Sequence, residues 1–172
     1  MKTQKNWIDE IAMILLRGEM ENNKNKAADE TIQRLDDSKD INQPGESGRT
    51  FLHHCCAYGY DDLARIAIEK GADVNAQEQN GFSPLHVAVK MDNFALAEYL
   101  LRNGALPELK DKYGNTAVFY ASGNWEIMKL LLDWGCDIHS RNFYNVSAYD
   151  MALLRPDIAE QLQEYLKQTC YP

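Results

Sequence analysis

Four residues with metal-binding or nucleophilic side chains follow one another in the sequence: His53, His54, Cys55 and Cys56. Imidazole and thiolate groups are the ligands that zinc prefers, so the run invites a metal-site interpretation. Adjacent residues on a helix point about 100° apart, however, and structural zinc sites use ligand pairs that are separated along the chain. We therefore expect core packing without a metal or other cofactor. The less favoured alternative is a metal-dependent sensor or enzyme that uses His54 and Cys56.

Other catalytic patterns are missing from the sequence. It contains no glycine-rich phosphate loop, no G-x-S-x-G elbow and no H-E-x-x-H. Asp61 and Asp62 are adjacent acids, but they suit an expected helix start, where the helix dipole favours negative charge. Because no pattern requires catalysis, we expect a protein that is not an enzyme.

Length and composition favour one ordinary globular domain. The chain has 172 residues, of which 45% are hydrophobic, and this content predicts a core rather than a disordered segment. It contains no apolar run of about eighteen residues, and no basic start leads into a long apolar stretch. We therefore expect a cytoplasmic protein without a membrane span or signal peptide.

The charge balance limits the class of partner. The net charge is −8, with 18 lysines and arginines against 26 aspartates and glutamates. Nucleic acid is not expected, because its binding needs a basic stripe and the cations here are dispersed. A basic protein partner is electrostatically easier. The cysteines lack the paired spacing of a secreted disulfide framework, and we expect them to be reduced.

A phrase recurs along the chain with a period of 33 residues, opened each time by a glycine: Gly48, Gly81 and Gly114. The three phrases read GRTFLHHCCAYG, GFSPLHVAVKMD and GNTAVFYASG. A second set aligns by its own glycines in IAIEKGADVN, YLLRNGALPE and LLLDWGCDIH, and the step from Gly104 to Gly135 shortens to 31 residues. Such a period predicts stacked units, none of which buries its apolar face alone.

These phrases resemble those of the ankyrin repeat family, which carries G-x-T-P-L-H-x-A and, later, L-L-x-x-G-A-D. The second unit matches closely, with Ser83, Pro84, Leu85, His86 and Ala88. Phe51 replaces the proline in the first unit, and Ala117 and Phe119 stand at the proline and histidine places of the third. The resemblance implies an all-α fold, an ankyrin-repeat solenoid of stacked helix-turn-helix units with projecting β-turns.

Residue types at these places agree with that implication. Ser83 precedes a proline, and this pair favours a helix start because the hydroxyl caps free amides and the ring fixes a suitable φ. The family's histidine, here His53 and His86, typically bridges neighbouring turns by hydrogen bonds. Cys55 and Cys56 stand at two alanine places, where small residues are needed.

The first 45 residues are expected to form a divergent N-terminal capping repeat. An apolar face predicts a helix from Trp7 to about Glu21, and a second helix is predicted over residues 26–36. The second helix carries Ala28, Ile32 and Leu35. Asn42 lies 33 residues before Asn75, so the turn that follows keeps the register of the repeat.

Residues 143–172 are expected to form a C-terminal capping repeat. Asn145 stands at the glycine place and Ser147 at the threonine place, and Pro156 begins a helix predicted to end at Lys167. The side chains expected to face inward on this helix are Ile158, Leu162, Tyr165 and Leu166. Between the two ends lie repeats at 46–78 and 79–111 and a shortened repeat at 112–142, all in one domain.

The family's usual role is to bind another protein through its concave face, and the resemblance implies the same here. The candidate partner-binding residues are those at the variable surface places, together with Trp125 in the shortened repeat. They are Arg49, Tyr58, Gln79, Asn80, Phe82, Lys90, Met91, Lys112, Tyr113, Asn115, Trp125, Phe143, Tyr144 and Arg155. Aromatic side chains are unusual at turn tips, where small polar residues are favoured, and they dominate protein interfaces.

Two interpretations stay open for the aromatic candidates. Those at the variable places, Tyr58, Phe82, Tyr113, Phe143 and Tyr144, form the centre of a partner site, or they pack on a neighbouring repeat. Trp125 fills the space that the two missing residues leave, or it lines a notch that accepts a partner side chain.

Two classes of function also stay open. The favoured one is a non-catalytic interaction module, a bacterial immunity-type protein that binds and neutralises a toxin or effector of basic character. This interpretation is favoured by the short capped chain, by its acidic charge, and by the absence of a second domain and of a targeting signal. Standalone members of the ankyrin repeat family accompany toxins, and the resemblance extends to them. The alternative is an adaptor or scaffold subunit that binds without inhibiting. A solenoid of this length is expected to be a monomer.

Overall fold

A computed structural model describes residues 7–35 and 40–170 of the chain. These residues form ten helices joined by short loops. The helices are α1 (Trp7–Met20), α2 (Lys24–Arg34), α3 (Phe51–Tyr58), α4 (Asp61–Glu69), α5 (Pro84–Lys90), α6 (Phe94–Arg102), α7 (Ala117–Tyr120), α8 (Trp125–Asp133), α9 (Ala148–Ala152) and α10 (Pro156–Cys170).

Consecutive helices form pairs, and the pairs stack in chain order. Gly59 and Tyr60 alone separate α3 from α4, a connection short enough to reverse the chain direction. The first helices of the pairs, α1, α3, α5, α7 and α9, pack one against the next, while α8 lies between α6 and α10. The stack confirms the all-α solenoid of helix pairs that the repeated phrases predicted.

The helix starts confirm the capping roles of Ser83, His53 and His86. The Nδ1 atom of His53 accepts a hydrogen bond from the amide of Thr50 at 3.2 Å. Its Nε2 atom therefore carries the proton and donates to the carbonyl of Phe82 in the next unit at 2.9 Å. His86 repeats this arrangement, with Ser83 on one side and the carbonyl of Asn115 on the other. Each imidazole caps its own helix and joins two units.

In the third unit, Phe119 occupies the histidine place and cannot make these bonds. The first helix of that unit, α7, has four residues, against eight in α3 and seven in α5. The 31-residue step from Gly104 to Gly135 falls in this unit, and the shorter first helix accommodates the two missing residues.

The terminal helices match the predicted apolar faces with one exception. In α1, Ile8, Ile11, Ile14 and Leu15 are buried, and in α10, Ile158 and Leu162 are buried while Tyr165 and Leu166 are half-buried. The second helix, α2, begins at Lys24 and buries Ala27 and Thr31, but leaves Ile32 46% exposed. A Cβ atom on Gly18 of α1 would collide with the Cβ of Ala27, so the close crossing of the two helices needs small residues there. The predicted end of this helix at Asp36 lies outside the described residues.

Four turns project from the stack, and we call them tips: residues 45–49, 78–82, 111–115 and 142–146. Each tip has a residue with positive φ at the same place: Gly48, Gly81, Gly114 and Asn145. A backbone ladder joins successive tips. The amide of Gln79 donates to Ser47, that of Lys112 to Asn80, and that of Phe143 to Tyr113, at 3.2, 2.8 and 2.9 Å.

A second set of hydrogen bonds joins the turns that follow α2, α4 and α6, the second helices of the first three pairs. The amide group of Asn42 bonds to the carbonyl of Gly71, and the amide group of Asn75 bonds to that of Gly104, at 3.1 and 3.0 Å. The 33-residue step from Asn42 to Asn75 therefore links equivalent structural places.

One apolar core extends along the stack from Ile8 to Leu162. Cys55, Cys56 and Cys136 are buried free thiols in or beside it. Among the described residues, no helix is long and apolar enough to cross a membrane.

Candidate partner-binding face

One surface of the stack consists of the four tips and the accessible residues of α3, α5, α7 and α9 behind them, and we call it the inner face. The backbone ladder fixes each tip against the next, because a main-chain amide of one donates to a carbonyl of its neighbour. Side chains at the tips are thus presented from a rigid support, which lowers the entropy that binding would cost.

The most exposed aromatic residues lie on the last two tips. Phe143 is 78% exposed and Tyr144 is 70% exposed, while Tyr113 is 40% exposed. The ring centres of Tyr113 and Tyr144 are 6.4 Å apart, and the ammonium of Lys112 lies 4.9 Å from the centre of the Tyr113 ring. The structure therefore brings four of the predicted site residues together at this end.

A second aromatic cluster lies between α5 and α7. The ring of Phe82 lies 5.6 Å from that of His86 and 5.3 Å from that of Tyr120. The exposed Lys90 extends back over it, with its ammonium 5.3 Å from the Phe82 ring centre and 5.9 Å from that of Tyr120. Phe82 is half-buried, so it both packs on the next unit and remains partly accessible.

Beneath this cluster lies a network of polar hydrogen bonds. The hydroxyl of Tyr120 donates to a carboxylate oxygen of Asp111, and the amide group of Asn115 donates to both residues. Asn142 of the next tip donates to Asn115 at 2.8 Å. The predicted site residue Asn115 is therefore buried, and it positions its neighbours.

The network shifts the ionisation of two groups. Burial, and then the bond to Asp111, raises the pKa of Tyr120 above its ordinary value. Burial by itself would raise the pKa of Asp111, but hydrogen bonds from Tyr120, Asn115 and Tyr113 outweigh it and lower that pKa. The carboxylate is therefore ionised at neutral pH, with its oxygens occupied by donors from within the chain.

At the first tip, Arg49 and Tyr58 flank a buried histidine. The ring of Tyr58 stacks on that of His54, with centres 6.1 Å apart. Burial, followed by the nearby charges of Arg49 and His53, lowers the pKa of His54 to about 4. Both ring nitrogens of His54 lie buried without a hydrogen-bond partner in the described part of the chain.

Other candidate residues occupy separate places. The amide group of Gln79 bonds to the carbonyl of Glu46, and the side chain of Asn80 bonds to Glu78. Met91, at the end of α5, is 51% exposed. All three belong to the inner face.

Two further candidates lie at the C-terminal end. Trp125 is the first residue of α8, and its ring packs edge-on against Tyr165 of α10 at 5.9 Å. This contact sets it apart from the tips. Arg155 reaches the shortened unit, where a Cβ atom on Gly123 would lie 3.3 Å from its Nη1. It also lies 3.7 Å from a carboxylate oxygen of Asp157.

The His and Cys run is engaged in packing. Both ring nitrogens of His53 make hydrogen bonds within the fold. Burial raises the pKa of the Cys55 and Cys56 thiols, which disfavours the thiolate that a metal or an electrophile would need. Within residues 7–35 and 40–170, no group of three His, Cys, Asp or Glu side chains has the arrangement of a metal site.

Sequence reasoning missed Tyr120, which belongs to the centre of the inner face. Tyr120 stands one place after Phe119, where the second unit has Val87. The available signal was an aromatic residue at a place where the second unit has an aliphatic one, and this place lies in the shortened unit. His54 stands at the same place of the first unit, and its position under Tyr58 was also missed.

Comparison with known proteins gives matches over most of the chain. The family model described as ankyrin repeats (3 copies) matches residues 19–111 and 78–142. The chain is similar to human BCL-6 corepressor-like protein 1, with 38% identity over 105 residues that cover 61% of this chain and 6% of that protein. It is similar to the Caenorhabditis elegans ankyrin repeat and LEM domain-containing protein 1 homolog, with 49% identity over 63 residues, 37% of this chain and 9% of that protein.

A bacterial relative is a putative ankyrin repeat protein of Rickettsia felis, with 36% identity over 108 residues. The match covers 56% of this chain and 48% of that protein. The chain thus spans less than half the length of each of these three relatives.

Proposed function

Because the chain belongs to the ankyrin repeat family, we propose that it binds another protein through the inner face and neutralises it, as an immunity-type partner of a toxin or effector. Ankyrin repeats are protein-protein interaction modules and are generally not catalytic. The observation that carries the proposal is the exposure of Tyr113, Phe143 and Tyr144 on tips that are held by backbone hydrogen bonds. Large aromatic anchors on a rigid support are what dominates protein interfaces.

The proposed site has two anchors, of which the first is the exposed apolar pair Phe143 and Tyr144. Phe143 and Tyr144 expose most of their surface to water, a cost that a partner would remove by covering them. Phe82, Lys90 and Tyr120 form the second anchor between α5 and α7. Partner contacts at both anchors would span three of the four tips.

The adaptor role is the second candidate, and one observation favours it. The relatives carry their matching segments inside longer proteins, one of which is named a corepressor-like protein, and the chain covers only 6% of its length. Such a segment would hold partners together, with activity supplied elsewhere. Under this alternative the inner face is the same, but the bound partner keeps its activity.

The test uses a partner recovered by co-purification with the full chain and then purified separately. Its affinity is measured for the unaltered chain, for Tyr113→Ala/Phe143→Ala/Tyr144→Ala, and for the control Trp134→Ala, which removes an aromatic side chain that is 45% exposed beyond the inner face. We expect the triple variant to bind at least about a hundredfold more weakly and the control within about twofold. Unchanged binding by the triple variant would remove the proposed site.

The partner's own activity then separates the two roles. Titrating the chain into the partner is expected to abolish that activity with the same midpoint as binding. A tight complex with undiminished activity would rule out neutralisation and leave the adaptor role.

A further inference from the structure

The accessible charges of the inner face differ in balance from the charge of the whole chain. Arg49, Lys90 and Lys112 stand there, with Arg155 at the edge, against the accessible carboxylates of Glu46 and Asp150. Asp150 is already paired with Arg141, in a chain whose net charge is −8. A partner segment in contact with the face meets the local charges, since charges farther away than about 8 Å are screened at physiological salt.

Three of these cations take no part in an ion pair between described residues. The pairs found there use other cations, or Arg155 at the edge of the face: Arg34, Arg102, Lys129, Arg141 and Arg155. The ammonium of Lys112 instead donates to the neutral amide oxygen of Asn80 at 2.6 Å, and that of Lys90 rests over two aromatic rings. Arg49 lies close enough to His53 and His54 to lower the pKa of both imidazoles.

The acids of the second and third tips offer few free carboxylate oxygens to an incoming chain. Glu78 is buried, and its carboxylate accepts hydrogen bonds from the amide and side chain of Asn80. Asp111 is buried and saturated by Tyr120 and Asn115. Their oxygens point into the turns, which leaves the cations as the groups that an incoming chain would meet.

We propose that the segment bound on the inner face is an extended, acidic stretch of the partner, with carboxylates against Arg49, Lys90 and Lys112 and an apolar side chain on Phe82. This deepens the proposed function and rests on it. The net charge alone favoured a basic partner, but the contacting residues favour carboxylates, which would form ion pairs with cations that have none among the described residues.

Arg49, Lys90 and Lys112 belong to three successive units, so one bound segment must cross units to meet all of them. Packed helices lie roughly 8–10 Å apart. An extended chain advances about 3.3 Å per residue, so about six residues reach from the first of these units to the third.

The first experiment selects peptides on the full chain. A display library of random twelve-residue peptides is bound to the immobilised chain, and enriched sequences are compared with the unselected library. We expect enrichment of Asp and Glu, together with an aromatic or aliphatic residue. Enrichment of Lys and Arg, or of neutral peptides, would overturn the acidic segment while leaving binding at the face intact.

The second experiment assigns the enriched peptide to the cations. Fluorescence anisotropy measures its affinity for the unaltered chain, for Arg49→Glu/Lys90→Glu, and for the control Arg34→Glu/Arg102→Glu. The control has the same change in net charge, at side chains 51% and 66% exposed that lie outside the inner face. We expect the first variant to bind at least about tenfold more weakly, the control within about twofold, and the unaltered chain to weaken as salt rises.

Three other outcomes would each overturn part of the proposal. Equal weakening by both variants would show a net-charge effect and overturn the assignment to the face. An acidic peptide whose binding survives Arg49→Glu/Lys90→Glu but not the triple aromatic variant would overturn the cation contacts and leave the proposed function in place. A selection that enriches no peptide over a blank surface would overturn an extended segment as the occupant. Circular dichroism confirms that each variant is folded.

Discussion

At the scale of single residues, His53 and His86 show how one side chain supports two units of the stack. Each accepts a bond from its own helix start and donates to the tip of the following unit. Burial lowers the pKa of both, so the neutral ring that this arrangement needs is the stable form. The bridging role that the family resemblance implied is confirmed at both places.

We expect His53→Ala and His86→Ala each to lower the free energy of unfolding by about 2–4 kcal/mol. Each substitution removes a helix cap and a bond between units, and leaves buried donors and acceptors without partners. Urea denaturation at pH 7 measures the loss. The control is His139→Ala, at an exposed side chain whose ring packs on Tyr149, and it should change stability by less than about 1 kcal/mol. Equal effects at all three places would refute the bridging role.

His54 makes stability depend on pH. Its pKa is about 4 in the folded chain, against about 6.5 when unfolded, because burial disfavours the charged ring. Between these values the unfolded chain binds a proton that the folded chain does not, so stability falls as pH drops from about 6.5 to 4. His53 and His86 act in the same direction.

The variant His54→Leu should therefore lose about 2 kcal/mol less stability between pH 7 and pH 5 than the unaltered chain does. It should also be at least as stable at pH 7, because the leucine removes two buried nitrogens that lack partners. Urea denaturation at the two pH values tests both statements. The same pH dependence with and without His54 would show that its ring is not the titrating group.

At the scale of elements, the tips demand more of their glycines than the helix ends do. Gly81 has φ +80°, and a Cβ atom there would lie 2.9 Å from the Cα of Asp111 on the next tip. Gly104, after α6, has φ +88°, but a Cβ atom there would meet nothing within 4 Å. Both glycines adopt the left-handed conformation. Gly81 must also lack a side chain, because a Cβ atom there would clash with the next tip.

We expect Gly104→Ala to cost about 1–2 kcal/mol, the strain of a left-handed residue alone. Gly81→Ala should cost at least about 1 kcal/mol more, because the new methyl group forces apart two backbones that the ladder joins. Thermal and urea unfolding of both variants give the comparison. If the two substitutions cost the same, the contact between tips contributes nothing beyond local strain.

Helix pairs, caps and junctions could be predicted from the sequence because each unit repeats them at a fixed period. Asn145 was placed with the tip glycines by register alone, and its φ of +62° confirms this. On α2 the assignment was wrong for Ile32, which is exposed, while Ala28 and Leu35 pack partly buried against the core. The tightest burial of this helix is at its crossing with Gly18, through Ala27, where small size matters more than hydrophobicity. The network of Tyr120 with Asp111 could not be predicted, because it joins the third tip to the last residue of the shortened α7, a contact that the repeat pattern does not contain.

At the scale of the whole molecule, burial is uneven along the stack. In α3 six of eight residues are buried, and in α5 six of seven. In α9 the buried residues are Ala148 and Ala152, and α10 contributes Ile158 and Leu162. In a stacked protein each unit is stabilised chiefly by its neighbours, so a unit that buries less apolar surface should open more readily.

We therefore expect the same substitution, leucine to alanine, to destabilise a short or a long part of the chain according to its place in the stack. Leu96 and Leu162 are both fully buried, and replacing either by alanine should cost about 2–5 kcal/mol where it packs. Because Leu162 lies at the sparsely packed end, Leu162→Ala should speed amide hydrogen exchange in α9 and α10 and leave α3 to α6 protected. Leu96→Ala, in the middle of the stack, should speed exchange in every helix, since units on both sides lose a neighbour. Equal loss of protection along the chain in both variants would mean that the described residues unfold as one cooperative unit. In that case the last tip, with Phe143 and Tyr144, would be held as firmly as the central ones.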